Sequence, residues 1–364
     1  MKKLFVAMLL AVGAMSAQTA ENPPVIPFDA VNALTLPNDL YLGEVPGVAV
    51  NAQGHIFVFH RGNTDGPAYG ARAAQLLEFD QNGKYLREIG KNLYAWAFAH
   101  DVKVDRDGNI WTADKGTDTV VKFDPLGRVL MVLGRKPESS DENAHPLAHP
   151  NPPLPPVDGM FRQVTDMAWD SNGNTYVSDG YVNSRIAKYD KDGNWVMSFG
   201  EPGTGDGQLN TPHSIALDAN NNIYVADRGN RRIQVFDTNG KYLRQIVINV
   251  PVPAGARPVI GNPTPPDTTT LRQHLPGAPW TVCITPGPNP VLYTSDSFPG
   301  RIYKLSLEGK VLGILGKGGR TPGSFGWVHE IACPSENTLY VAEILNWRVQ
   351  KLTLHPERAA RQSN

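Results

Sequence analysis

Residues 215–229 read IALDANNNIYVADRG: a short apolar run, a turn of Asp and Asn, and a second apolar run closing on Asp227. The same phrase recurs as VAVNAQGHIFVFHRG from Val48, VKVDRDGNIWTADKG from Val102, MAWDSNGNTYVSDGY from Met167, VCITPGPNPVLYTSDS from Val282 and IACPSENTLYVAEIL from Ile331. Alternating β-branched and aromatic residues between Asp/Asn/Gly turns are the pattern of strands joined by hairpins. Most copies continue into a third strand (RIQVFD, VVKFD, RIAKYD), a turn such as NGK or DGN, and a fourth strand (YLRQIV, VLMVLG, WVMSFG). A repeated four-stranded unit cannot bury both faces alone and stacks on its neighbours round an axis. The expected fold is therefore all-β, a six-bladed β-propeller of four-stranded antiparallel blades over residues 21–354, with repeats starting near 48, 102, 167, 215, 282 and 331.

The sixth copy stops after its third strand and gives way to a polar tail, 355–364. An unpaired strand edge invites aggregation, so the segment 29–42 is expected to supply the missing strand. Pro-rich stretches at 137–156 and 251–279 lack periodicity and read as long loops between blades. Turns such as DRDGN at Asp105 and DKDGN at Asp190 begin like a calcium-binding loop, but their glycine stands at the fourth position and not the sixth, so they read as hairpin turns.

The 364 residues are 41% hydrophobic and 19% charged, enough for a large core, and the net charge of -1 offers no field for nucleic acid. A small molecule or peptide is the expected partner, and the chain is expected to be a monomer. Residues 1–20 place Lys2 and Lys3 before an apolar run and then small residues, the layout of a secretory signal peptide. The mature protein is accordingly expected to be exported, periplasmic or extracellular, with no membrane span after signal removal. Cys283 and Cys333, the two cysteines, permit one disulfide; their spacing leaves the pairing open.

Two residues before each repeat, where the innermost strands enter the central channel, the six copies read Pro46, His100, Thr165, His213, Trp280 and His329. Histidine falls in alternate blades. Three imidazoles converging from evenly spaced blades supply the three protein ligands of a catalytic zinc site, though other divalent ions also accept imidazole. The remaining histidines, His55, His145, His149, His274 and His355, read as solvated; His60, beside an inner strand end, is less clear. At the ends of the second strands stand His60 and then Asp114, Asp179, Asp227, Asp296 and Glu343, and the recurrence of the acidic members in five repeats points to turn-fixing duty. Arg61, Tyr181 and Arg228 break that repeat. Two guanidiniums beside a metal attract a carboxylate, and a phenol among cations has its pKa lowered toward the range of a general base.

Taken together, VFHRG with Arg61, GKNL at Gly90, AHDV with His100, VSDGYVNSRI with Tyr181, TPHSIAL with His213, VADRGNRRIQVF with Arg228 and VHEIA with His329 resemble the peptidyl-α-hydroxyglycine α-amidating lyase family of NHL-repeat propellers, from about Val48 to Leu354. The resemblance implies a zinc-dependent carbon–nitrogen lyase that splits a peptidyl- or N-acyl-α-hydroxyglycine into amide and glyoxylate. It implies zinc on His100, His213 and His329, Tyr181 as base, and Arg61 and Arg228 against the substrate carboxylate. It also implies a structural calcium ion held by the carbonyls of Val48 and Val102 and the side chain of Glu330, where the family usually has Asp. Val182 stands where animal members have a disulfide cysteine. No copper monooxygenase half is read in the sequence, so the hydroxyglycine is expected to be made elsewhere. Two other readings stand beside this one, a metal-dependent ester or lactone hydrolase and a non-enzymatic NHL-type binding propeller.

Overall fold

The computed structural model describes residues 22–62, 74–135, 155–258 and 274–358. The expected leader, most of both Pro-rich stretches and the end of the tail lie outside them. Six four-stranded antiparallel sheets form the molecule. Blade one holds β2 (Gly47–Val50), β3 (Ile56–His60), β4 (Gln75–Phe79) and β5 (Tyr85–Ile89); blade two holds β6 (Ala99–Val104), β7 (Ile110–Asp114), β8 (Thr119–Phe123) and β9 (Val129–Gly134). Blade three runs from β10 (Asp166–Trp169) to β13 (Trp195–Phe199), blade four from β14 (Pro212–Leu217) through β15 (Ile223–Asp227) to β17 (Tyr242–Ile246), and blade five from β18 (Val282–Ile284) to β21 (Val311–Leu315).

Blade six contains β22 (Val328–Ser335), β23 (Thr338–Glu343) and β24 (Arg348–Leu354), and its outer strand is β1 (Phe28–Asn32). β1 pairs antiparallel with β24, Phe28 opposite Leu354 and Asn32 opposite Gln350, which closes the ring where the sequence predicted a donated strand. The same segment ties three blades together. Ile26 N–H donates to the Ile314 carbonyl of blade five, and Thr35 N–H donates to Gly83 of blade one at 2.7 Å.

Alternation within the second strand of a blade serves two interfaces at once. In β3, Val58 packs with Tyr340 and Ala342 of blade six, while Phe57 and Phe59 pack with Val121 and Phe123 of blade two. An apolar cluster fills every interface between successive blades. This explains why the strand runs read as apolar on both faces, since a blade is covered on each side. The hairpin-turn reading holds too. Asp105 Oδ1 accepts from the N–H groups of Asp107 and Asn109, and Asp190 does the same for Asp192 and Asn194.

Cys283 in β18 and Cys333 in β22 are disulfide-bonded, joining the innermost strands of blades five and six. The innermost strands surround a cavity of about 410 Å³ at one end of the central channel, lined by Val48, Lys103, Ala168, Ile215, Val282 and Glu330 among others.

Candidate metal centre and chamber

His100, His213 and His329 stand near the starts of β6, β14 and β22, and the sequence register brings them together as predicted. One ring nitrogen from each lies within 4.8 Å of the others. The ring centroids are 4.9, 4.7 and 4.7 Å apart, close to an equilateral triangle. The blades between them supply what the sequence did not reveal. His100 Nδ1 meets the Thr165 carbonyl at 2.7 Å, His213 Nδ1 meets that of Trp280 at 2.6 Å, and His329 Nδ1 meets that of Pro46 at 2.9 Å. A carbonyl only accepts, so every Nδ1 carries the proton and every Nε2 keeps its lone pair for the axis. Burial holds all three imidazoles well below their ordinary pKa, helped by neighbouring cations including Arg61 and Arg228, so they are neutral. Three neutral imidazoles with oriented lone pairs fit a zinc-type ion.

Tyr181, two residues beyond β11 (Thr175–Asp179), puts its hydroxyl 3.2 Å from His100 Nε2 and 3.3 Å from His213 Nε2. Burial alone would raise its pKa, but Arg228, Lys115 and Arg61 outweigh burial and hold the phenol below its ordinary value. Arg228 is fully buried, hydrogen-bonds Tyr181 and lies 4.0 Å from the Trp280 ring centroid. Arg61 sits 3.9 Å from the Phe98 ring, donates to the Ala99 carbonyl at 2.8 Å, and pairs with Glu44 at 2.8 Å. Its charge is therefore answered in part.

Two chamber residues escaped the sequence reading. Lys115 occupies in blade two the register of Arg61 and Arg228, one position past the second strand, and its ammonium lies 3.9 Å from the Tyr181 ring centroid. His274 is not solvated: it lies 5.4 Å from the Trp280 ring and 5.3 Å from that of Trp327, and burial lowers its pKa to about 4. His55 and His355 likewise have partners, Glu78 and Asp29, each at 2.8 Å. His60 is buried and neutral, its pKa lowered to about 4 by burial, and its Nδ1 accepts from Gly62 N–H at 3.0 Å.

Further down the axis, Glu330 is joined by Asp101 and Asp166, with one oxygen of each within 4.8 Å of the others. Lys103 Nζ stands among them, 2.8 Å from Asp166, 3.9 Å from Asp101 and 4.0 Å from Glu330. Burial raises the pKa of Asp101 and takes Glu330 to about 8. Asp101 Oδ2 is buried without a hydrogen-bond partner. Three carboxylates against one ammonium leave two negative charges when all are ionised, which a divalent hard cation would balance. Val48 lines the adjoining cavity, and Val102 faces Thr112 of β7 in the strand register. The donors define a class of ion and not an element.

An NHL-repeat family model matches residues 209–236. The peptidyl-glycine alpha-amidating monooxygenase of Mus musculus is 33% identical over 244 residues, 60% of this chain and 23% of that protein. A probable peptidyl-alpha-hydroxyglycine alpha-amidating lyase of Caenorhabditis elegans is 32% identical over 215 residues, 54% of this chain and 56% of that protein. The chain thus spans less than two thirds of either relative. The crystal structure of a virginiamycin B lyase from Staphylococcus aureus, 12% identical, superposes with a TM-score of 0.55 over 91% of this chain and 100% of that one, a likeness of fold.

Fold and repeat define a six-bladed NHL-repeat propeller with a buried three-histidine centre. In sequence the chain is similar, over about half of its length, to proteins named as peptidyl-glycine or peptidyl-α-hydroxyglycine amidating enzymes.

Proposed function

We propose that the chain is a zinc-dependent lyase that cleaves a peptidyl- or N-acyl-α-hydroxyglycine to the amide and glyoxylate. The observation that carries this reading is the Tyr181 hydroxyl, set against two of the three Nε2 atoms and surrounded by Arg228, Lys115 and Arg61. Zinc on His100, His213 and His329 would supply Lewis-acid polarisation of a substrate oxygen. Tyr181 takes the proton of the α-hydroxyl as the carbon–nitrogen bond breaks and the carbon–oxygen bond becomes a carbonyl. The same proton returns to the departing amide nitrogen, so no water is consumed. Arg228 and Arg61, lying against the rings of Trp280 and Phe98, hold a positive field over the developing charge.

Ester or lactone hydrolysis would instead use a water beside the metal and a carboxylate to activate it; among the described residues the three-histidine group includes no carboxylate. Calcium is proposed for the axial group, held by Glu330 with Asp101 and Asp166, because hard oxygen donors suit it. Export is proposed from the expected leader, and the Cys283–Cys333 bond suits an oxidising compartment. The test is release of glyoxylate and amide in equal amounts from an N-acyl-α-hydroxyglycine. Wild type should release both, and Tyr181→Phe should not; hydrolysis of an ester with no glyoxylate from the hydroxyglycine would replace this reading with the hydrolase one.

A further inference from the structure

We infer that Lys115 is a specificity-determining residue, the counter-charge that selects a substrate carrying a carboxylate beside its hydroxyl. The inference deepens the proposed lyase reading and rests on it for the identity of that substrate. Its ground is the balance of charge in the chamber. Arg61 is paired with Glu44 at 2.8 Å and bonded to the Ala99 carbonyl. Arg228 is hydrogen-bonded to Tyr181 and stacked on Trp280. Lys115 differs from both: among the described residues its ammonium makes no ion pair or hydrogen bond, Asp118 acts on it only from beyond ion-pair distance, and its contacts are the rings of Tyr181 at 3.9 Å and Phe98 at 5.3 Å.

A half-buried ammonium against aromatic rings is stabilised only in part by their quadrupoles. It gains most from an anion that enters with the substrate. The backbone fixes its position, since Lys115 N–H donates to the Phe98 carbonyl at 3.0 Å, and β7 ends one residue earlier on Asp114. From that fixed point the side chain reaches the Tyr181 ring whose hydroxyl meets the histidines. A hydroxyl directed to the histidines and Tyr181 leaves a carboxylate on the same carbon within reach of Lys115. A neutral amide or ester in that place would leave the ammonium unanswered.

The experiment compares binding of glycolate and its neutral counterpart glycolamide to zinc-loaded full-length protein, by calorimetry or tryptophan fluorescence. Wild type, Lys115→Met and Lys115→Arg are measured, each checked for an unchanged melting temperature. Wild type should prefer glycolate by roughly tenfold or more, as expected of a charge-assisted contact. Lys115→Met should bring that ratio near one by weakening glycolate alone, and Lys115→Arg should keep most of it. An undiminished preference in Lys115→Met would overturn the inference, whatever the outcome of the glyoxylate assay. A ratio that collapses in Lys115→Met while wild type releases no glyoxylate would uphold Lys115 and remove the lyase reading.

Discussion

At the residue scale, His100, His213 and His329 were legible because the repeat puts them in one register. What orients them was not, because the acceptors are main-chain carbonyls of Thr165, Trp280 and Pro46, and a carbonyl leaves no mark in a sequence. Any one of the three changed to Ala should take bound zinc from about one equivalent to near none, read by elemental analysis. Tyr181→Phe should keep the metal and lower kcat by about 10²- to 10⁴-fold, the usual worth of a positioned proton acceptor. His60 yields a pH prediction independent of the metal. Its folded pKa is about 4 against 6.5 in the open chain. Between those values the unfolded chain takes up a proton that the folded one refuses, so stability is full above pH 6.5 and falls as pH drops toward 4. The loss by pH 4 is about 3 kcal/mol from this group. In denaturant titrations across that range, His60→Asn, whose Oδ1 is able to accept from Gly62, should show a shallower fall than wild type.

At the element scale, the acidic residues at the ends of the second strands of blades two to six do the turn-fixing work expected of them. Fully buried Asp227 accepts from Asn210 N–H at 2.7 Å and from Arg232 at 2.7 Å, and it also meets Asn230 and Gln234. Asp114 plays the same part for the N–H groups of Ala97, Phe98 and Gly116. Asp227→Ala strands Arg232 and should cost about 3–5 kcal/mol in chemical denaturation. A loss under 1 kcal/mol would show the turn to be held by other bonds. Lys115 was hidden by this regularity: it follows Asp114 in an otherwise ordinary copy, and only alignment of the position with Arg61 and Arg228 marks it. Glu44 was hidden differently, since it precedes the first repeat and reaches Arg61 only through the fold.

At the scale of the molecule, the number of blades and the closing strand were readable because periodicity and an incomplete last repeat leave few ways to close a ring. The strap from Ile26 to Thr35 across blades five, six and one, and the company of Glu330 in the axial group, Asp101, Asp166 and Lys103, were not: both join residues from distant repeats. The Cys283–Cys333 bond closes a sequence separation of 50 residues. Replacing both cysteines by alanine should cost about 2–4 kcal/mol of stability, seen as a lower denaturation midpoint with little change in zinc content. The central claim is that the three-histidine centre holds the metal on which the chemistry depends. Its most direct test is glyoxylate release from an N-acyl-α-hydroxyglycine by protein stripped with a chelator and then titrated with zinc. Activity should be absent after stripping and should rise to a plateau at one equivalent, with no such rise in His213→Ala; full activity in the stripped protein would contradict the account.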